Sequence, residues 1–597
     1  MRYRLTWVVG AVAVLAAALT PAIPATAAPV PIASIRGGAT QDTYSYAKAI
    51  RQSVWVDTGL TAEARPGGHV RVAADIIRPR ELDRVARIPV IMTASPYFRC
   101  CGRGNQFQRK AYDAAGNPVT FPLYYDNYFV PRGYAVVLVD LAGTNRSGGC
   151  TDLGGRSDVT SATAVIDWLN GRGTAYTSSA GTAVATAYWS DGSVGMIGKS
   201  WDGTIAEAVA ATGVPGLKTI VPESAISAWY DYFRADGAPL ARESPGALAA
   251  YVDTQAGACT SVNDALDAGS PDNGDVTATY QARNYVPDEH RITASVFATE
   301  GVNDYNVLGI NFGPWWQALP ATVPKMVWLA QTGHVDPFDF RRAAWVAELH
   351  RWLDHYLMGI DNDVQRDPPA SVERAPGAWV NYPNWPIPGT RPITWQLKGA
   401  PESFTDDPTQ NDTDWAANPD STEPDRLIYR MGPPLTHTET LSGTTTVTLT
   451  VTPTTPIARI SAALVDYGTT TMRNYAGAGV GIRTLATESC WGDSTIADSA
   501  CYLDTTPDTI TVSDDIFARG WADLGHFASK RTQQNLVPGR PVTITFPLNT
   551  TDHTIPAGHT LALLIGGTDA GYVNPPPGRP TITLNPATSR VVLPLAG

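Results

Sequence analysis

The run YAVVLVDLAG, residues 134–143, constrains the fold most. It is apolar almost without interruption and ends in a turn. A strand with one wet face alternates polar and apolar side chains, so a run like this fits a strand covered on both faces. Shorter apolar runs surround it: VWVDT (54–58), HVRVAADIIRP (69–79), RIPVIMTAS (87–95), VGMIG (194–198), LKTIV (217–221), SVFATEG (295–301) and KMVWLAQTG (325–333). Helical patterns separate them. ATAVIDWLNG carries Gly171 as its stop signal. In DFRRAAWVAELHRWLDHYLMG, Trp345, Leu349, Trp352, Leu353 and Tyr356 recur at three- and four-residue steps, with Gly359 at the end. His350 and His355 flank that stripe as packing or surface residues. Strands alternating with helices predict a doubly wound, mostly parallel α/β sheet.

The pattern changes twice. Between about 225 and 290 it loosens into short helical and irregular pieces, where a lid would be inserted between two core strands. From about 390 it becomes strictly two-residue. Val447, Leu449 and Val451 alternate with threonines, as do Ile544, Phe546 and Leu548 with their neighbours, between Gly/Pro turns. That predicts an antiparallel jelly-roll sandwich without helices. The polar segment 399–425 reads as loop. The expected organisation is a signal peptide (1–27), core (28–224), helical lid (225–290), core (291–385) and sandwich (386–597).

The amino terminus has Arg2 and Arg4, then an uncharged stretch from Leu5 to Leu19, then Ala25-Thr26-Ala27. This is the form of a secretory signal, too short to span a membrane. The protein is therefore expected to be secreted, with no membrane attachment after cleavage. The net charge of −12 argues against nucleic acid as a partner. Six cysteines in an exported chain favour disulfides. Cys490 and Cys501 are the simplest pair; Cys100, Cys101, Cys150 and Cys259 cannot be paired from sequence. No C-x-x-C and no i, i+4 histidine pair is present, so neither metal nor other cofactor is expected.

Ser200, in MIGKSWDGTI, lies between a strand pattern (VGMIG) and a helix pattern (TIAEAVAA). That is the context of a nucleophile elbow, although G-x-S-x-G would place a glycine where Asp202 stands. An α/β-hydrolase also needs its acid and then its base after later strands. Asp304, after SVFATEG, and His334, after KMVWLAQTG, supply them in that order. Each has a plain alternative, Asp304 as a turn former and His334 as a structural histidine. It is the ordered set that points to a triad. The oxyanion donors would be the Trp201 amide and Tyr97 of ASPY, which reads equally as a packing residue beside Pro96.

With these residues in place the chain resembles the Xaa-Pro dipeptidyl-peptidase family of serine peptidases, with cocaine esterase and related acyl hydrolases as cousins. VRVAADIIRP, PVIMTASPY, YYDNYFVPRGYAVVLVDLAGTNRSGGC, GMIGKSWDGT, GVNDYNV, GHVDP and IPAGHTLALLIGGTDAGY carry the resemblance. It implies a G-x-S-x-x-G elbow on Gly198, Ser200 and Gly203, which accommodates Asp202. It implies the acid at Asp304, the base at His334 and Tyr97 beside the Trp201 amide as oxyanion donors. It also implies an α/β-hydrolase core, helical lid and jelly roll. Two places depart from the family: Glu300-Gly301 stands where many members have His-Gly, and Asp140–Gly143 reads DLAG.

The implied activity is release of Xaa-Pro dipeptides from peptides with a free amino terminus and proline at the second position. Such an enzyme needs a carboxylate for the amine and an apolar slot for proline. Glu223, Glu243 and Asp231 are the candidates for the first, Trp229 and Tyr232 for the second. The alternatives are an esterase or amide acylase on the same triad, and a carbohydrate-binding sandwich on an inactive core.

Overall fold

The computed structural model describes Met1 and residues 32–61, 68–255 and 257–596. The expected signal peptide lies outside the described residues.

A twelve-stranded sheet forms the core of the described residues. In chain order its strands are β1 (Ile50–Thr61), β2 (His69–Arg78), β3 (Ile88–Ser95), β4 (Ala135–Asp140), β5 (Ala175–Tyr176), β6 (Val184–Ala185), β7 (Ser190–Lys199), β8 (Leu217–Glu223), β9 (Ser295–Gly301), β10 (Lys325–Ala330), β11 (Ala370–Ala375) and β12 (Ala378–Tyr382). Their spatial order is β6-β5-β1-β2-β4-β3-β7-β8-β9-β10-β11-β12. From β4 to β11 every neighbouring pair is parallel. The run at 134–143 is β4, and it is buried on both faces. Val137 and Val139 belong to one apolar cluster, and Val136 and Leu138 to the other.

Helices cover both faces. α1 (Arg156–Leu169) and α2 (Trp201–Ala211) bring Val165, Ile166, Ile205 and Val209 to the first cluster. The lid segment holds α3 (Trp229–Phe233), α4 (Pro245–Val252) and α5 (Thr260–Ala268). α6 (Arg342–Met358) puts Trp345, Leu349, Trp352 and Leu353 into the second cluster. Gly171 and Gly359 both take the left-handed conformation just past their helices, as expected of C-terminal stops.

The C-terminal part is all antiparallel, an eight-stranded sheet facing a four-stranded one. Val447, Leu449, Val451, Ile544, Phe546 and Leu548 all point into its core, as the alternation predicts. The segment 399–425 corrects the loop expectation. It forms a strand at Glu402–Thr405 and a short helix at Asp412–Ala416. An Asn411–Asp414 capping box starts that helix, and Trp415 buries its side chain. A single buried tryptophan among polar residues leaves no periodic signal, which is why the pattern reads as loop.

Three disulfides join the cysteines: Cys100–Cys101, Cys150–Cys259 and Cys490–Cys501. The last is the pair expected from spacing. Cys150–Cys259 ties the segment before α1 to the start of α5 and so anchors the lid. No helix of the described residues is long and apolar enough to cross a membrane.

Candidate active site

In a parallel sheet all carboxyl ends lie on one edge, and loops leaving them meet there. Tyr97 follows β3, Ser200 follows β7, Asp304 follows β9 and His334 follows β10. Three sequence-distant loops are thereby gathered around Ser200.

Ser200 sits between β7 and α2 at φ 61° and ψ −130°. A non-glycine residue is strained there and must be held by its surroundings. Its amide donates to the Glu223 carbonyl at 2.9 Å, and its carbonyl accepts from the Thr204 amide at 2.9 Å. The glycine spacing has a steric cause. A Cβ on Gly198 would lie 2.5 Å from Asp202 Cβ, and one on Gly203 would lie 2.7 Å from the Gly198 carbonyl. Strand and helix touch where Gly198 meets positions 202 and 203, so a missing side chain at 198 makes room for the Asp202 Cβ and position 203 must itself be glycine.

His334 Nδ1 lies 2.5 Å from Asp304 Oδ2. A carboxylate only accepts, so Nδ1 carries the proton and Nε2 keeps a free lone pair. The other oxygen, Asp304 Oδ1, accepts the amides of Asn306 and Val307, both at 2.8 Å. Asp304 is 1% exposed, so its orientation is set by buried partners. The Tyr97 phenol lies close enough to the Ser200 side chain and the Trp201 amide to interact with both. Burial, then Asp202, hold that phenol well above the usual tyrosine range, so it remains an O–H donor.

A cavity of about 390 Å³ opens on Ser200, His334 and Tyr97 together. Its other walls include Phe98, Cys101, Pro122, Tyr232, Leu248 and Tyr251, with Arg103, Asp202 and Asn306 as polar groups. Tyr232 thus lies where the proline slot was expected, its hydroxyl donating to Asn306 at 3.1 Å. Trp229 does not line the cavity. It is fully buried, packed edge-on against Trp201 at 5.1 Å and against Tyr232 at 5.5 Å, so it backs the cavity wall that Tyr232 forms.

The carboxylates expected to hold an amine are placed differently from one another. Glu223 is buried behind the elbow and paired to Arg103 at 2.9 Å. Burial pushes its carboxyl up to about 8 despite that arginine. Asp231 faces Lys530 and Asp236 instead. Glu243 is exposed on the lid just before α4, close enough to act on Tyr232 electrostatically. Glu300 is buried within β9. Burial, then Asp304 and Glu207, raise its carboxyl, which stands beside Asp304, well above the usual range.

Several site residues escape sequence reasoning. Arg103 also pairs with Asp336 at 3.1 Å, and Lys199 reaches Asp336 at 3.5 Å and the His334 carbonyl at 3.2 Å. Burial alone would raise the Asp336 carboxyl, but Lys199 and Arg103 outweigh it and hold it low. The vicinal Cys100–Cys101 disulfide stiffens the loop that carries Tyr97, and Cys101 faces the cavity. None of these belongs to a spacing motif; only proximity to Tyr97 in CCGRG could have drawn notice.

Asp202 is 2% exposed, and burial pushes its carboxyl up to about 7 while Arg103 and Ser95 partly offset this. The folded chain therefore binds this proton more tightly than the unfolded chain, whose carboxyl titrates near 3.8. Between those values this group makes stability fall as pH rises. Asp202→Asn is expected to lose that slope. Its Tm relative to the parent should climb from about pH 4 to about pH 7. A Tm difference constant over this range would contradict the assignment.

The His334 loop is braced from the sandwich. Glu373, on β11, accepts the Gln331 amide at 2.8 Å and pairs with Arg473 at 2.7–2.9 Å. Both side chains are at most 1% exposed. Arg473 also donates to the Gly481 carbonyl at 2.8 Å, and the Gly333 amide donates to the Val480 carbonyl at 3.0 Å. Arg473→Met leaves Glu373 buried without its cation and is expected to cost about 3–5 kcal/mol. A urea midpoint within error of the parent would count against this brace.

The model of the X-Pro dipeptidyl-peptidase (S15 family) matches residues 67–336, and that of the X-Pro dipeptidyl-peptidase C-terminal non-catalytic domain matches 362–593. A provisionally named Xaa-Pro dipeptidyl-peptidase of Streptomyces avermitilis is 52% identical over 98% of this chain and 88% of its own. The Xaa-Pro dipeptidyl-peptidase of Lacticaseibacillus casei is 28% identical over 93% of this chain and 78% of its own. Among solved structures, an aminopeptidase from a marine sediment Thaumarchaeota archaeon superposes with TM-score 0.61 at 14% identity, covering 96% of this chain and all of that one. An alpha-amino acid ester hydrolase does so with TM-score 0.59 at 16% identity, covering 97% and 99%.

Proposed function

Because the chain belongs to the X-Pro dipeptidyl-peptidase (S15) family of serine peptidases, we propose that it releases Xaa-Pro dipeptides from peptides with a free amino terminus, through an acyl-enzyme on Ser200. The observation that carries this reading is the cavity of about 390 Å³ shared by Ser200, His334 and Tyr97. It falls within the roughly 300–1,000 Å³ of small-ligand pockets and is walled mainly by rings and a disulfide. A proline ring suits such a wall, since it is apolar and lacks an N–H that would need a partner.

In the proposed cycle His334 Nε2 takes the Ser200 proton as Oγ attacks the carbonyl after proline. Asp304 holds the imidazole tautomer and stabilises the cation. Tyr97 O–H and the Trp201 N–H hold the oxyanion. His334 then protonates the leaving amine, and water resolves the ester. Tyr97→Phe removes one oxyanion donor and is expected to lower kcat by about 10²–10³ with little change in KM. A kcat within threefold of the parent would assign the oxyanion to other donors.

We also propose export of the mature chain. The signal-like amino terminus and the pairing of all six cysteines support an oxidising destination.

The deciding experiment compares an Ala-Pro anilide, its N-acetylated form and a simple aryl ester. The dipeptidyl-peptidase reading expects strong loss on N-acetylation. Preference for the ester, or indifference to the blocking group, would favour the esterase or acylase reading instead.

A further inference from the structure

A second cavity of about 560 Å³ lies against the first and shares His334, Lys199, Gly104 and Phe107 with it. Its far wall comes from the other domain: residues 477–484 of the sandwich, including Ala478, Val480 and Arg483. We propose that this cavity is the leaving-peptide subsite, so that the sandwich takes part in recognising the two or three residues after proline. The inference rests on the dipeptidyl-peptidase reading above.

The chemistry of the leaving step sets the direction. The general acid must come within hydrogen-bonding reach of the departing nitrogen. The acyl half of the substrate lies with Tyr97, Trp201 and Tyr232, where the oxyanion donors are. The chain beyond the departing nitrogen must then continue past His334, toward the space that His334 also borders. Lys199 stands at that junction with 20% of its side chain exposed.

Phe107 marks the crossing. It lines both cavities, sits at φ 52° and is 71% exposed. A large exposed ring held in a left-handed backbone conformation is costly to keep unless something covers it. An extended peptide passing from one cavity to the other would lie across it.

The sandwich wall is held firmly enough to act as a subsite. A Cβ on Gly333 would meet Val480 Cγ1 at 2.6 Å, so wall and catalytic loop are in direct contact. Asn105, beside Phe107 in sequence, donates to Thr484 at 3.3 Å. The buried Arg473–Glu373 pair fixes the base of the segment.

Two measurements test this. The first uses the unaltered enzyme. Ala-Pro p-nitroanilide acylates Ser200, and Ala-Phe amide is added as acceptor. In capture, the acceptor nitrogen bonds to the acyl carbon and the ester bond to Ser200 Oγ breaks. The amine proton passes to His334 and then to Oγ. A bound acceptor gives Ala-Pro-Ala-Phe amide in a yield that saturates with acceptor concentration. Absent or strictly linear capture would overturn the subsite.

The second fills the cavity with Ala478→Trp, at an exposed position of the wall. The ratio of kcat/KM for an Ala-Pro-headed pentapeptide to that for the anilide should fall at least about tenfold, through KM. Equal loss on both substrates, or no loss, would overturn the proposal while leaving dipeptide release intact. A parent enzyme inert to both would remove the dipeptidyl-peptidase reading, and the subsite with it.

Discussion

Ser200→Ala is expected to lower kcat on an Ala-Pro anilide by about 10⁶-fold, close to the loss of the whole catalytic unit in a triad hydrolase. The size follows from the mechanism. Without Oγ no acyl-enzyme forms, and His334 and the oxyanion donors can assist only direct attack by water. Residual catalysis of about 10³–10⁴ over water should persist from those donors and from binding. KM should change little, since alanine leaves the cavity walls in place. Alanine also relieves none of the backbone strain at φ 61°, because it too carries a Cβ. The variant should therefore fold with a Tm near that of the parent. Labelling by a fluorophosphonate should vanish in parallel. Activity within tenfold of the parent would move the nucleophile elsewhere and end the acyl-enzyme proposal.

Asp304→Asn is expected to lower kcat by about 10⁴-fold. The cause can be read from its hydrogen bonds. Oδ1 accepts two backbone amides, from Asn306 and Val307. An asparagine in the same pocket keeps its carbonyl oxygen on those donors, which turns its NH₂ toward His334 Nδ1. An NH₂ donates, so Nδ1 must accept and the ring proton moves to Nε2. The imidazole then faces Ser200 with a proton where it needs a lone pair. Steady-state kinetics measure the loss, and an unchanged Tm shows that it is not misfolding. Retention of a tenth of the activity would mean that another group orients the base.

Much of the site was legible because its parts follow strands. Ser200, Asp304 and His334 each stand just beyond an apolar run, and such runs are recognisable by length and burial alone. Asp202 was the exception that misled a strict motif. The contacts of Gly198 and Gly203 show that close packing requires glycine at those two positions, and the glycine at 198 is what makes room for the Asp202 side chain. Trp229 and Glu223 were placed in the right neighbourhood but on the wrong side of it. Whether a ring or a carboxyl faces a cavity or backs it depends on a side-chain direction that sequence spacing does not carry.

Arg103 illustrates the other limit. Its partners Glu223 and Asp336 lie 120 and 233 residues away, and no periodicity connects them. Thr484, at the end of the Gly477–Thr484 wall, lies 379 residues from its partner Asn105.

By itself, the sequence determined the two architectures, the edge at which chemistry could occur and the order in which the candidate serine, aspartate and histidine follow their strands. These follow from burial. Apolar strands covered on both faces are flanked by helices, and where they run parallel their polar loop residues collect at the carboxyl ends. Only the tertiary structure decided which carboxylates are already paired, which rings line the cavity at Ser200 and that residues 477–484 of the sandwich meet His334 across a second cavity. Those outcomes depend on contacts between segments hundreds of residues apart, whose geometry is set by packing the whole chain at once.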